Sequence, residues 1–160
     1  MFDVIRSTVN AFSQTRAGPW QSLGDILLVG EGNLSFAKSL LKQPTAGITD
    51  MTATTFENQN KLSQEAQQNA TSLRCSGAQV FHGVDATHLE KYFRHCSFDT
   101  IVFQFPNVGS REAKHGQNPN HIMIRRFLRS ARPYLSSSGK VLISTVDSSH
   151  YEGVFKFDRA

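Results

Sequence analysis

Three places in the chain carry residue types that could do chemistry. The first is Gly30-Glu31-Gly32-Asn33, which follows the apolar run at 26–29 and precedes a helical pattern. Glycine lets a strand turn tightly into a helix and lets a ligand approach without a Cβ in the way. The helix start then offers unpaired N–H groups. A dinucleotide fingerprint would want a third glycine at position 35, where this chain has Ser35. That favours a nucleoside ligand bearing a carboxylate over a pyrophosphate ligand, although the glycines could equally serve a tight turn alone. The second place is a pair of acids. Glu57 follows a β-leaning stretch, where a carboxylate can accept from both hydroxyls of a ribose; otherwise it is a solvated loop acid. Asp85 follows the next strand pattern and could accept from an exocyclic amine, or could start a short helix. The third place is Phe103-Gln104-Phe105-Pro106-Asn107, two aromatic rings, two amides and a proline at a strand end.

These residues need a frame that gathers strand ends. The run at 26–29 is apolar on every residue, as in a parallel strand covered on both faces. Asn33 is expected to cap a helix with Phe36, Ala37, Leu40 and Leu41 inward, ended by Pro44 and Gly47. Residues 51–56 predict a strand, 58–74 a helix ended by Gly77, and 80–84 a third strand. Thr87 and Glu90 have capping-box spacing for a short helix through Phe93. A fourth strand lies within 98–105, then a polar loop at 107–119 and a helix at 120–131. Ser136-Ser137-Ser138-Gly139 turns into a fifth strand at 140–145. This alternation predicts one α/β domain over 1–160. It is a Rossmann-like, doubly wound, mainly parallel sheet of about five strands with helices on both faces. Phe2, Ile5, Val9 and Phe12 recur at helical spacing, so 1–23 is expected to be an N-terminal helix and linker, and 24–160 the core.

Composition narrows the class. The 160 residues are 39% hydrophobic and 19% charged, which suits a globular domain and is far from a disordered one. Two cysteines make no disulfide framework, and no Cys/His spacing suits zinc, so no metal is expected. No apolar run is long enough for a membrane span, and no secretory leader is expected. A net charge of +4 permits a polyanionic partner without requiring one. Arg111, Lys114, Arg125, Arg126, Arg129 and Arg132 cluster after the fourth strand as a candidate RNA-facing patch, or as a solvated helix face.

Taken together, residues 26–36 (ILLVGEGNLSF), 82–87 (HGVDAT) and 101–109 (IVFQFPNVG) resemble the Rossmann-like domain of large-subunit ribosomal RNA uridine-N3 methyltransferases. The likeness runs from about residue 25 to 151. It implies a class I methyltransferase that uses S-adenosylmethionine, a nucleoside with a carboxylate. It further implies that Gly30, Glu31, Gly32, Asn33, Ser35, Phe36, Glu57, Asp85 and Ala86 hold this cofactor. The methyl-transfer centre would be Gln104, Phe105, Pro106 and Asn107, with ribosomal RNA as partner and a cytoplasmic location, nucleolar in a eukaryote. An amide carbonyl there can accept from an N–H, proline stiffens the turn, and an aromatic ring stacks on a base. Phe103 and Phe105 share a strand face and could instead be core.

The sequence departs from that pattern where Gln104 replaces an asparagine and Asn107 a histidine. His115, in the loop, is the candidate base for the uracil N3 proton. His82 is expected to be structural. The chain stops soon after the fifth strand, whereas such domains usually add a helix and two antiparallel strands. Either the domain is short or the chain is cut, and an incomplete sheet edge open to pairing is expected. The competing readings are a non-catalytic or small-molecule-directed cofactor-binding module, and a nicotinamide oxidoreductase, which Ser35 disfavours.

Overall fold

The apolar run at 26–29 does form the middle of the sheet. In the computed structural model, which describes residues 2–7, 18–109, 112 and 118–146, it lies in β2 (Gly24–Val29). The other strands are β1 (Phe2–Ser7), β3 (Ile48–Thr54), β4 (Gln79–Phe81), β5 (Phe98–Gln104) and β6 (Leu135–Val146). Their order is β1-β6-β5-β2-β3-β4, and every pairing is parallel. The chain runs outward from β2 through β3 to β4, then returns to β5 on the other side of β2. The order in which strands are added therefore reverses between β2 and β5, the switch point where ligands bind in open α/β sheets. This is the expected α/β Rossmann-like fold, with six strands rather than about five.

Both faces are covered, which is why alternation is missing from β2. Ile26 and Leu28 pack with Leu34, Ala37, Leu40, Ala70 and Leu73, from α1 (Ser35–Leu40) and α2 (Gln64–Cys75) and the turn before α1. Leu27 and Val29 pack on the opposite face with Leu89, Ile124, Phe127 and Ala131. The last three belong to α3 (Pro119–Ala131). Phe127 is fully buried, so its ring contributes about 1.5–3 kcal/mol by leaving water.

The N-terminal helix expected over 1–23 is not what residues 2–7 form. They are a strand, in register with β6 from Phe2 opposite Val141 to Ser7 opposite Val146. A short isolated helix is marginal, whereas β6 offers an unpaired row of N–H and C=O groups. The edge of β6 expected to stand open is thus paired with β1. Val9 and Phe12 lie outside the described residues.

Other boundaries moved for local reasons. The helix expected from residue 58 starts later: Ser63 caps α2, its hydroxyl accepting from the Ala66 N–H at 3.2 Å, and residues Gln59–Lys61 form a separate 3-10 turn. Gly77 ends α2 with φ +89°, and the Ala78 N–H returns to the Leu73 carbonyl, as a left-handed cap requires. The third strand stops at Phe81. The serine stretch is a bulge inside β6: Leu135 pairs with Phe98 and Lys140 with Thr100, so residues 136–139 stand against Asp99. Asn118 starts α3 by accepting from the Asn120 N–H at 2.9 Å.

Candidate functional site at the sheet switch point

Because all strands run the same way, their C-terminal ends share one edge. This edge brings together the glycine turn, residues 55–58, residues 82–85 and residues 104–109. The two glycines of the turn meet different surroundings. Gly30 has φ +68°, and a Cβ there would come within 2.6 Å of Phe103 Cε2. Phe103 is itself buried edge-to-face on Phe127, centroids 5.0 Å apart, so Phe103 belongs to the core and Gly30 is required by packing. A Cβ on Gly32 would meet no atom within 4 Å: that position faces open space.

Asn33 does not occupy the helix cap. Leu34 does, in the left-handed region at φ +62°, a conformation that costs an L residue about 1–2 kcal/mol. Leu34 brings no side-chain cap. The vacancy is filled from upstream, because the Glu31 carboxylate accepts from the Ala37 N–H at 3.1 Å. Asn33 accepts from the Ser35 N–H at 3.1 Å through its side chain. The Glu31 carboxyl is buried, and loss of water pushes its pKa up to about 6 even though the Ala37 bond pulls the other way. The Glu31 N–H donates to the Thr54 carbonyl, which ties the turn to β3.

Of the expected cofactor residues, Ser35 is exposed at the turn, Phe36 packs on Trp20 with centroids 5.0 Å apart, and Ala86 is buried in the second core. Glu57 is exposed just past β3, and its carboxylate has no partner among the described residues. Its main chain is fixed: the Glu57 carbonyl accepts from the Thr55 hydroxyl at 2.8 Å and from the Gly83 N–H at 3.0 Å. Asp85, rather than Thr87, starts the short 3-10 segment Ala86–Lys91. Its carboxylate accepts from the Thr87 N–H and hydroxyl and pairs with His88 Nδ1 at 3.0 Å. Burial raises the Asp85 pKa, but these hydrogen bonds outweigh it and hold the carboxyl below its ordinary range.

On the other side of the crevice, Gln104 ends β5 half-buried. Phe105 then takes φ +46°, with its N–H donating to the Ser144 carbonyl at 2.9 Å, and the strand alternation breaks. Its ring is 54% exposed, which separates it from the core residue Phe103. Pro106 is buried. The Asn107 side chain accepts from the Gly109 N–H, and Asn120 at the start of α3 accepts from the Val108 N–H. Arg111, Lys114 and His115 lie outside the described residues. Arg125, Arg126, Arg129 and Arg132 are exposed on and just after α3. No group of metal-ligating side chains occurs among the described residues, and no described helix is long and apolar enough to cross a membrane.

Two residues at this site escaped sequence reasoning. Phe56 stands beside Glu57 with its ring 66% exposed at the ligand edge. Nothing in a threonine-rich strand distinguishes it from a core phenylalanine. Asn69 is buried on α2, donating to the Asn33 carbonyl at 2.9 Å and accepting from Lys38 at 3.0 Å. Its signal was legible: an asparagine sits among Ala66, Ala70 and Leu73 on the apolar face of a helix.

The chain is 32% identical over 136 residues to the heavy metal-associated isoprenylated plant protein 41 of Arabidopsis thaliana, covering 78% of this chain and 26% of that protein. It is 35% identical over 123 residues to the human ferredoxin-fold anticodon-binding domain-containing protein 1, covering 74% of this chain and 19% of that one. An uncharacterized Arabidopsis protein matches at 32% over 136 residues, 78% of this chain and 64% of its own length. The chain thus spans about a fifth to a quarter of the length of the longer relatives. The glycine turn, both acids and the aromatic-amide motif all fall within residues 27–155, the segment that matches a family signature, and over that segment the chain belongs to the BMT5-like rRNA (uridine-N3-)-methyltransferase family.

Proposed function

We propose that the protein is an S-adenosylmethionine-dependent RNA methyltransferase whose acceptor is N3 of a uridine in ribosomal RNA. The observation that carries the cofactor is charge. Residues 30–34, which face open space at Gly32, hold a buried carboxylate, Glu31, and no cation of their own; the nearest described ammonium, Lys38, is engaged by Asn69, and the neighbouring loop adds Glu57, whose carboxylate has no partner among the described residues. A pyrophosphate would be repelled there. A ligand with an ammonium, a sulfonium and a ribose would be matched, because a desolvated carboxylate gains most from a nearby positive charge. Family membership supports the same reading.

In this arrangement Gly30 to Asn33 cradle the methionine end and Glu57 accepts from the ribose hydroxyls. Phe56 and Asp85 bound the adenine. When bound, the cofactor supplies an electrophilic methyl group. The chain's own work is then positioning, which suits an in-line displacement. The N3 proton leaves to His115, the candidate base. Phe105 offers an exposed ring on which a base can stack, and the Gln104 side-chain amide can donate to a uracil carbonyl flanking N3. The buried Pro106 and the Asn107 turn fix where both point.

Separate calorimetric titrations with S-adenosylhomocysteine and NAD test the cofactor. Binding of the adenosyl ligand alone is expected, and binding of NAD alone rejects the assignment. Labelled S-adenosylmethionine is then incubated with ribosomal RNA, and the product is digested to nucleosides. Label in 3-methyluridine is expected. Label on another base removes the uridine assignment, and transfer to protein or metabolite with none to RNA removes the RNA assignment.

A further inference from the structure

The segment that presents Glu57 is held by a chain of hydrogen bonds whose directions can be worked out from both ends. Arg74 on α2 has a permanent positive charge and only donors. Its Nη2 donates to the Val80 carbonyl at 2.9 Å and lies 3.2 Å from His82 Nε2. His82 Nε2 must therefore be the acceptor, which leaves the ring proton on Nδ1. Nδ1 lies 2.9 Å from the Thr55 hydroxyl. The hydroxyl has one proton, and at 2.8 Å it meets the Glu57 carbonyl, which can only accept. The order is then fixed: Arg74 to His82, His82 to Thr55, Thr55 to Glu57.

The same segments are stitched along the main chain. The Thr55 N–H donates to the Phe81 carbonyl, the Val84 N–H to the Thr55 carbonyl, and the Gly83 N–H to the Glu57 carbonyl. Gly83 has φ +72°, and a Cβ there would strike the Asn58 side chain, so the loops close directly on each other. These main-chain bonds already hold Thr55 and Gly83 together. What the His82 relay adds is the second bond to the Glu57 carbonyl, which sets the plane of the peptide just after Glu57 and with it the direction of that residue.

We infer that His82, in the neutral form protonated on Nδ1, is a positioning residue for ribose recognition, acting through Thr55 to aim the Glu57 carboxylate. This rests on the proposal that Glu57 accepts from the ribose. Desolvation and the adjacent Arg74 charge both hold the His82 imidazole below its ordinary range, which keeps the required neutral form in place.

The test is a comparison of two ligands by calorimetry, S-adenosylhomocysteine and its 2′,3′-dideoxy counterpart. In the unaltered protein, loss of both hydroxyls is expected to weaken binding roughly tenfold or more, since each bonds a charged acceptor. Glu57→Ala is expected to abolish that difference. His82→Leu and Thr55→Val are expected to shrink it several-fold while the dideoxy ligand binds as before. His82→Asn, whose amide can donate from near the Nδ1 position, is expected to restore it. A merely structural histidine would weaken both ligands alike. If His82→Leu and Thr55→Val retain the full difference while Glu57→Ala removes it, the relay is overturned and the ribose role of Glu57 stands. If Glu57→Ala retains the difference, the ribose reading fails and the relay falls with it. Should His82→Leu fold poorly, the near-isosteric Thr55→Val decides.

Discussion

Among the described residues, the two sides of the crevice between β2 and β5 are held in different ways. On the β2–β4 side, residues 31–37, 54–58 and 80–87 are held by hydrogen bonds from buried or half-buried side chains, Glu31, Asn69, Thr55 and His82, and Thr54 ties its segment to β2 through the Leu28 carbonyl. On the β5 side, Phe105 and Val108 stand exposed, and the loop is tied to α3 through Asn120. The difference suits the proposed labour. A cofactor is the same in every turnover, so its cradle gains from being fixed beforehand. A nucleotide in a large RNA arrives with its own structure, and an exposed ring on a turn can receive it.

The comparison breaks most sharply within the glycine turn itself. Gly30→Ala is expected to destabilise the fold by about 2–4 kcal/mol, from left-handed strain plus the collision with the immobile Phe103 ring. Gly32→Ala is expected to change stability by no more than about 0.5 kcal/mol, because its Cβ meets only open space. It should nevertheless weaken S-adenosylhomocysteine binding about tenfold. Urea unfolding and calorimetry on both variants separate packing from ligand contact. Equal losses of stability would show that both glycines serve the turn alone.

The next largest effect tests the buried acid. The Glu31 pKa rises from an ordinary 4.5 to about 6 on folding. Its contribution to stability is therefore fully present below about 4.5 and is lost as pH rises through 6. The shift corresponds to about 2 kcal/mol. Glu31→Gln keeps an acceptor for the Ala37 N–H and removes the charge. Relative to the unaltered protein it should gain about 2 kcal/mol at pH 7.5 and nothing at about pH 3.5. Parallel stability profiles for the two proteins across this window would mean that the carboxylate is not desolvated.

The exposed rings sharpen the contrast between the sides. Phe105→Ala is expected to lower turnover on RNA about tenfold, with the S-adenosylhomocysteine Kd within about twofold, because stacking positions the acceptor. Phe56→Ala should do the reverse, weakening the cofactor more than it slows turnover. Initial rates and calorimetry on the pair suffice, and the two variants behaving alike would dissolve the division of the crevice.

How much of this was legible depended on whether a signal was local. The uninterrupted apolar run at 26–29 announced a two-sided parallel strand, and Gly77 announced the end of α2. The glycine turn and both acids share one edge, as expected, because the C-terminal ends of parallel strands do. Residues 2–7 were misread because their partner lies more than 130 positions away, and no local pattern reports that β6 has room on its edge. Residue type points to Asn33 as a cap, but the Glu31 carboxylate satisfies the Ala37 N–H from upstream; of the two starts offered for the short helix, Asp85 and Thr87, it is Asp85 that caps. Strand alternation alone puts Phe103 and Phe105 on one face, and only the family resemblance singles out Phe105. Their difference arises from one positive φ at the end of β5, which turns the second ring out of the sheet.

The smallest expected effect concerns the surface of α3. Arg125 and Arg129 are four residues apart on that helix, so they share a face, and both are exposed. α3 follows the Phe105 turn and is joined to it by the bond from the Val108 N–H to Asn120, so phosphates flanking a base stacked on Phe105 could pass near this helix. The double change Arg125→Gln with Arg129→Gln should leave stability within about 0.5 kcal/mol, since neither side chain is buried. Cofactor affinity should also be unaltered. What should move is the salt dependence of RNA binding. Each phosphate contact releases counterions and contributes about 0.7–0.9 to the slope of log K against log salt, so the slope should fall by about 1–2. Fluorescence-anisotropy titrations of a labelled ribosomal RNA fragment at several salt concentrations measure it directly. An unchanged slope would return these arginines to a solvated helix face and leave the phosphate contacts to other cations.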